Sequence, residues 1–365
     1  MGLDELAKMR DKDIPYSRVL SSMCTVPHPV AVEAHKMFLE TNLGDPGIFV
    51  GTVELEKKLI AILGNVLHKP NASGYICSGG TEGNIQAIRA ARNINKGKNI
   101  VVPRSAHFSF EKVADILGLE VRKAGLNEEF KVGVSEVESL IDQKTASIVG
   151  VAGTTELGQI DSIEDLSELA VEKGVPLHVD AAFGGLIIPF MDQNIPFDFQ
   201  LDGVTSVSID PHKMGMATIP SGGIFFKEET FIDALSIETP YLTSKKQTTL
   251  TGTRTGTGVA SAYAVLEHLG WEGMSDLVKR CLDNTQLLIR EMNELEFEPV
   301  IDPPMNIVSF RTDKCEKLKE ELYKKKWVIS TIREPKAIRF VVMPHVNEET
   351  IEDFISDLKT ILKNV

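Results

Sequence analysis

Between about residues 70 and 230, short β-type runs alternate with amphipathic helical stretches, and this alternation most constrains the fold. The β-type runs fall at 74–77, 99–103, 119–123, 147–152, 175–181, 204–209 and 222–227. Several are apolar at successive positions, as in Ile100-Val101-Val102, rather than at alternate ones. Side chains point to opposite faces along a strand, so a continuous apolar run fits a strand covered on both sides. Between the runs, 81–94 places Ile85, Ile88 and Ala91 at three-residue spacing, and 164–173 places Leu166, Leu169 and Ala170 on one face. Such alternation predicts right-handed crossovers and an α/β domain with a mainly parallel, seven-stranded sheet.

The flanks read differently. Residues 53–67 form an amphipathic pattern with Leu55, Leu59, Leu63 and Val66 on one stripe. After residue 240, helical stretches at 258–269 and 274–295 lead to strands at 306–311, 327–331 and 337–343, then a helix at 348–362. The predicted division is an N-terminal segment (1–50), a large α/β domain (51–255) and a smaller C-terminal α+β domain (256–365). At 365 residues a chain hides roughly 75% of its unfolded surface, enough for two cores.

Charge excludes some partners. Lys plus Arg number 39 and Asp plus Glu 52, a net −13, which disfavours nucleic acid and anionic membranes as partners. No apolar run approaches the roughly 20 residues of a membrane span, and the first residues show no secretory pattern. The cysteines at 24, 77, 281 and 315 form no CxxC pair, so neither a zinc ribbon nor a disulfide scaffold is expected. A reducing cytoplasm is the expected setting.

Four strand-end features carry chemistry. Asp210-Pro211-His212-Lys213-Met214-Gly215 follows the run at 204–209, and a lysine there sits where ligands collect in α/β domains. It reads as a surface turn or as an amine that forms a Schiff base with a carbonyl. His178-Val179-Asp180-Ala181-Ala182 ends another run, with His178 and Asp180 on one face. That pair reads as a metal pair lacking a third ligand, as a satisfied carboxylate, or as an acid partner for a pyridinium nitrogen. Ser78-Gly79-Gly80-Thr81-Glu82-Gly83-Asn84 joins a strand to a helix, and its small residues let backbone N–H groups approach a phosphate. Ala106-His107-Phe108-Ser109 offers a ring for stacking and acid–base work. No GxGxxG, GxxxxGK[ST] or GxSxG exists, so dinucleotide, P-loop and serine-hydrolase readings lose ground.

The order small-residue loop, His, Asp, His-Lys resembles that of pyridoxal-phosphate enzymes of the aspartate-aminotransferase fold (fold type I). His178-Val-Asp-Ala-Ala and Pro211-His212-Lys213 are most similar to the group II decarboxylases and their sphingosine-phosphate-lyase relatives. Ser22-Met23-Cys24, the segment from Glu40 to Gly47, the segment from Ala152 to Gly158 and the segment from Ile219 to Gly223 look closest to the archaeal branch. That branch comprises L-tyrosine decarboxylases making tyramine for methanofuran and L-aspartate decarboxylases making β-alanine for coenzyme A.

The resemblance implies roles. Lys213 would hold pyridoxal 5'-phosphate, Asp180 would keep the ring nitrogen protonated, and His107 would stack on the ring near the scissile bond. Ala182 would pack on the other face, and Thr155 would hydrogen-bond the 3′-oxygen. Gly80, Thr81 and His212 would hold the phosphate. Gly252 and Thr253, in Thr251-Gly252-Thr253-Arg254, would complete the phosphate site of a second subunit, implying a homodimer with shared sites. Asp210 departs from the glutamate decarboxylases, which place Ser there, and is not assigned as a phosphate ligand.

The expected activity is decarboxylation of L-tyrosine, L-aspartate or, less favoured, L-glutamate. A carbon–carbon lyase of the sphingosine-phosphate-lyase type is the alternative, disfavoured by Asp45 where a substrate phosphate would sit. A non-catalytic binding protein would be expected to have lost Lys213 or Asp180, and both are present. For the substrate side chain, Arg254, Arg333 and Arg339 are candidates to meet a carboxylate, and Phe49, Phe108 and Tyr241 to line an aromatic pocket.

Overall fold

The computed structural model describes residues 2–363. The chain divides into two compact units, 27–278 and 1–26 with 279–365.

The larger unit is built on a seven-stranded sheet: β1 (Ser73–Cys77), β2 (Asn99–Pro103), β3 (Glu120–Ala124), β4 (Thr145–Val151), β5 (Leu177–Asp180), β6 (Val204–Ile209) and β7 (Gly222–Phe226). Their order across the sheet is β1-β7-β6-β5-β4-β2-β3. Strands β6, β5, β4, β2 and β3 pair in parallel, and β7 is antiparallel to both its neighbours. The expected seven-stranded, mainly parallel sheet is therefore present. Every residue of β2, β4, β5 and β7 is buried, as the continuous apolar runs require. Edge strand β3 carries Glu120, Arg122 and Lys123, charges that discourage pairing with another edge.

The helix Gly80–Asn95 follows β1 and is buried from Glu82 to Ala91 except at Arg89. Ile85 and Ile88 join Ile100, Val102, Phe110, Val113, Ala146 and Val149 in one apolar cluster. The helix begins at Gly79, whose φ of 156° lies where an L side chain is strained, and ends at the left-handed Lys96.

In the smaller unit, strands Ile307–Arg311, Ala337–Val341 and Ser330–Ile332 form an antiparallel sheet in that order. Helices Cys315–Lys324 and Glu348–Leu362 belong to the same unit. Trp327, Phe310, Phe340, Phe354, Leu318 and Leu358 lie in its core. The indole N–H of Trp327 donates to Asp357 Oδ2 at 2.9 Å, and Arg18 lies over the ring.

Two expectations shift. The strand expected at 327–331 pairs with the sheet only at Ser330–Ile332. Val328 instead bridges Val19, and Leu20 N–H donates to Val328 O, so the N-terminal segment takes that stretch. The two helices expected at 258–269 and 274–295 are both present, lying within Gly256–Asn293 on either side of the non-helical Gly270 (φ 59°).

The units also divide elsewhere than at residues 50 and 255. Residues 27–50 carry the helix Pro29–Met37, whose His35 meets Thr218 Oγ1 at 2.8 Å, while His28 N–H donates to Met216 O. Both contacts fall within the larger unit. Residues 256–278 also stay there, with Val259, Ala262 and Val265 fully buried and Ser221 Oγ donating to Gly258 O.

Candidate active site

The strands' C-terminal ends and the start of helix Gly80–Asn95 bring four sequence features together. Lys213 Nζ lies 3.1 Å from Asp210 Oδ2, and His212 Nε2 lies 3.6 Å from the same oxygen. His212 Nδ1 accepts the Ser221 N–H at 3.1 Å, and the backbone N–H of His212 returns to Ser221 O. The turn after β6 is thereby fastened to the start of β7.

Asp210 is 3% exposed, and its Oδ1 is buried without a hydrogen-bond partner. A Cβ on Gly80 would come 2.8 Å from the Ala182 methyl and 3.2 Å from Asp210 Oδ2, so the β1 loop meets the ends of β5 and β6. Gly79 faces His212, whose Cε1 would lie 3.1 Å from an added Cβ.

Asp180 is 7% exposed. Its Oδ1 accepts the Ala182 N–H at 3.1 Å, and its Oδ2 accepts from Asn84 Nδ2 at 2.9 Å. His107 lies in the loop after β2, its Nδ1 accepting the Ser109 N–H at 3.2 Å. Burial lowers the pKa of His107, opposed by Asp180 and assisted by Lys213, so the imidazole is held neutral. His212 is lowered too, mainly by burial and against the pull of Asp210.

These residues suit pyridoxal phosphate. The helix Gly80–Asn95 has no side-chain cap at Gly79, which leaves first-turn N–H groups for an anion. Small residues at 79, 80 and 182 leave close approach open, Lys213 supplies an amine, and a fixed carboxylate stands at Asp180. Asp210, not assigned as a phosphate ligand, forms an ion pair with Lys213.

Thr155 is half-buried in the loop after β4. Thr81 is half-buried in the first turn of its helix. Gly252 and Thr253 are exposed in the loop before the helix Gly256–Asn293. Arg254 is already engaged, bidentate with Glu56 and donating to Ile76 O at 2.7 Å. Phe108 and Tyr241 are 61% and 85% exposed, and Phe49 is half-buried. Arg333 is exposed, and Arg339 donates to Ser21 O and Ser330 Oγ within the smaller unit. Asp45 binds Thr243 and accepts the Gly47 N–H.

Sequence reasoning noticed Asn84 and His178 but missed their function. His178 Nδ1 meets Ser206 Oγ at 2.9 Å and Nε2 meets Asn84 Oδ1 at 2.9 Å, so both ring nitrogens are taken by protein groups. The metal-pair reading fails on this point. The period-two spacing of His178, Asp180, Ser206 and Ser208 on neighbouring strands was the available signal.

Among the described residues no disulfide joins the four cysteines, and no helix is long and apolar enough to cross a membrane.

Comparison with known proteins agrees with this geometry. A family model described as pyridoxal-dependent decarboxylase conserved domain matches residues 50–313. A probable L-aspartate decarboxylase of Archaeoglobus fulgidus is 68% identical over 363 residues, 99% of each chain. A probable L-tyrosine/L-aspartate decarboxylase of Methanothrix thermoacetophila is 53% identical, covering 99% of this chain and 95% of the relative. Among solved structures, a glutamate decarboxylase of Lactobacillus brevis superposes with TM-score 0.92 at 22% identity, covering 99% of this chain and 92% of that one. A sphingosine-1-phosphate lyase of Burkholderia pseudomallei gives 0.90 at 26% identity, covering 99% and 89%.

Proposed function

Since the chain belongs to the pyridoxal-dependent decarboxylase family and is an amino-acid decarboxylase that uses pyridoxal phosphate, we propose that it acts on L-aspartate, releasing CO₂ and β-alanine, with L-tyrosine (to tyramine) as second substrate. These products are the ones expected for coenzyme A and methanofuran. The observation that carries the reading is the meeting of Lys213, Asp210, Asp180 and the uncapped helix at the C-terminal ends of β5 and β6. The preference for L-aspartate is supported by the 68% identical relative.

Pyridoxal phosphate, when bound, supplies a conjugated ring that accepts the electron pair left at Cα as CO₂ departs. The chain's own residues do the rest. Lys213 is the amine that holds the cofactor and yields it to the substrate's amine. Asp180 keeps a proton on the ring nitrogen. First-turn N–H groups at Gly80 and Thr81, with His212, hold the phosphate. Ala182 admits a flat ring where a larger side chain would collide. His107 would cover the other face of the ring, near the scissile bond, with its imidazole held neutral by burial. Thr155 bonds the ring's 3′-oxygen. The active unit is a homodimer in which Gly252 and Thr253 complete the neighbour's phosphate site, a reading supported by the exposure of both residues.

The test of substrate is CO₂ release from L-aspartate, L-tyrosine and L-glutamate at equal concentration. L-aspartate should have the highest kcat/KM. Turnover of L-tyrosine alone would overturn the preference, and turnover of none would overturn the activity. The shared site is tested by mixing a Lys213→Ala chain with a Thr253→Glu chain. Heterodimers should recover one working site, and verified heterodimers without activity would remove the idea.

A further inference from the structure

Beside Asp180 lies a closed set of polar side chains that the reaction above leaves without a task. Asn84, Ser109, His178, Ser206 and Ser208 are each at most 3% exposed. Both ends of the Asn84 amide are filled. Nδ2 donates to Asp180 Oδ2 at 2.9 Å and to Ser109 Oγ at 3.0 Å. Oδ1 accepts from Ser208 Oγ at 3.0 Å and meets His178 Nε2 at 2.9 Å.

Donor and acceptor chemistry allows one assignment. A carboxylate only accepts, so the amide must turn its NH₂ to Asp180 and its oxygen to His178. His178 must then carry its proton on Nε2, and Nδ1 must accept from the Ser206 hydroxyl at 2.9 Å. The opposite tautomer would set two acceptors against each other. Flipping the amide would set its oxygen against the Asp180 carboxylate. Burial pushes the His178 pKa down to about 4, so the ring stays neutral near pH 7 and the assignment persists.

We infer that Asn84, locked in one orientation by His178, is the positioning residue that aims the Asp180 carboxylate at the cofactor's ring nitrogen. Among the described residues the Asp180 carboxylate accepts two hydrogen bonds, one from the Ala182 N–H and one from Asn84 Nδ2. The Ala182 N–H fixes Oδ1, and without Asn84 the other oxygen is free to swing. A misplacement of about 1 Å at such a group is enough to cost about 100-fold in rate. The inference rests on the proposed role of Asp180, and its test separates the two.

The test uses the holoenzyme loaded with pyridoxal phosphate carrying ¹⁵N in the ring, whose chemical shift reports the proton on that nitrogen. Asp180→Asn is the reference and should move the signal to that of an unprotonated ring. Asn84→Leu and His178→Leu should move it part of the way, with kcat lowered by about 10- to 100-fold and KM changed much less. His178→Gln, whose amide N–H can reach Asn84 Oδ1, should restore both the signal and most of kcat. If a leucine variant does not fold, Asn84→Ala and His178→Asn remove the same bonds with smaller changes and carry the same expectation. A wild-type nitrogen signal in the folded Asn84 and His178 variants, with Asp180→Asn displaced, overturns the positioning role alone. An undisplaced signal in Asp180→Asn overturns the role of Asp180 and this inference with it.

Discussion

Two buried helices, one in each unit, are seated by different means. The helix Glu348–Leu362 buries Ile351, Phe354, Ile355, Leu358 and Ile361 on one stripe and leaves charged residues such as Glu352 and Asp353 outside. The helix Gly80–Asn95 buries Ile85, Ala87, Ile88 and Ala90, and with them Glu82, Asn84 and Gln86. Each of those three is bonded. Glu82 accepts from Tyr75 and the Ser78 N–H, Gln86 donates to Thr248 O, and Asn84 is bonded on all sides. An apolar stripe tolerates rotation and exchange of similar residues, whereas a satisfied polar set admits one arrangement. The first kind of burial supplies stability. The second places Asp180 and the loops around Lys213.

The comparison can be broken at several points. Lys213→Ala removes the amine that holds the cofactor, so kcat should fall by on the order of 10³-fold or more while the far-ultraviolet circular dichroism stays unchanged. Trp327→Ala strikes the apolar kind of core and should lower unfolding free energy by about 3–5 kcal/mol, read by urea denaturation of the cofactor-free protein. A loss below about 1 kcal/mol would contradict the weight given to that core.

His178 sharpens the polar side. Its folded pKa of about 4 lies below its ordinary value of 6.5 because burial disfavours the charged ring. Between those values the unfolded chain binds more protons, so this group's contribution to stability is full above pH 6.5 and falls as the pH drops toward 4. The wild-type advantage over His178→Gln should therefore shrink by about 2–4 kcal/mol between pH 7 and pH 4. Asp161 works in the opposite direction, its carboxyl raised to about 6 by burial, but it is common to both proteins and cancels in the difference. The smallest effect is at the start of the apolar helix, where Asn347 Oδ1 accepts the Thr350 N–H at 2.9 Å. Asn347→Ala should cost about 1 kcal/mol by the same denaturation measurement.

Legibility in the sequence follows the same divide. Patterns that depend on period alone were readable, including all seven strands of the large sheet and the helix at 348–362. The strand at 327–331 was misjudged because its partner is Val19, more than 300 residues away, and no local pattern announces that pairing. The unit boundaries were misplaced because helix Gly256–Asn293 crosses from one unit to the other at residues 278 and 279. Within the site, Lys213, Asp180 and His107 stood out by type and strand-end location. The hydrogen bonds that join Asn84, His178, Ser206 and Ser208 did not, because it takes two strands and a helix to bring these residues within about 3 Å of one another. Asp210 looked unfavourable beside a phosphate until the structure set it against Lys213.

The central claim is that Lys213 carries the cofactor. Borohydride reduction of the enzyme saturated with pyridoxal phosphate, followed by peptide mass mapping, tests it most directly. The account predicts one pyridoxyl adduct per chain, on the peptide containing Lys213, and its loss when L-aspartate is supplied before reduction. An adduct on another lysine, or none on Lys213, would contradict it.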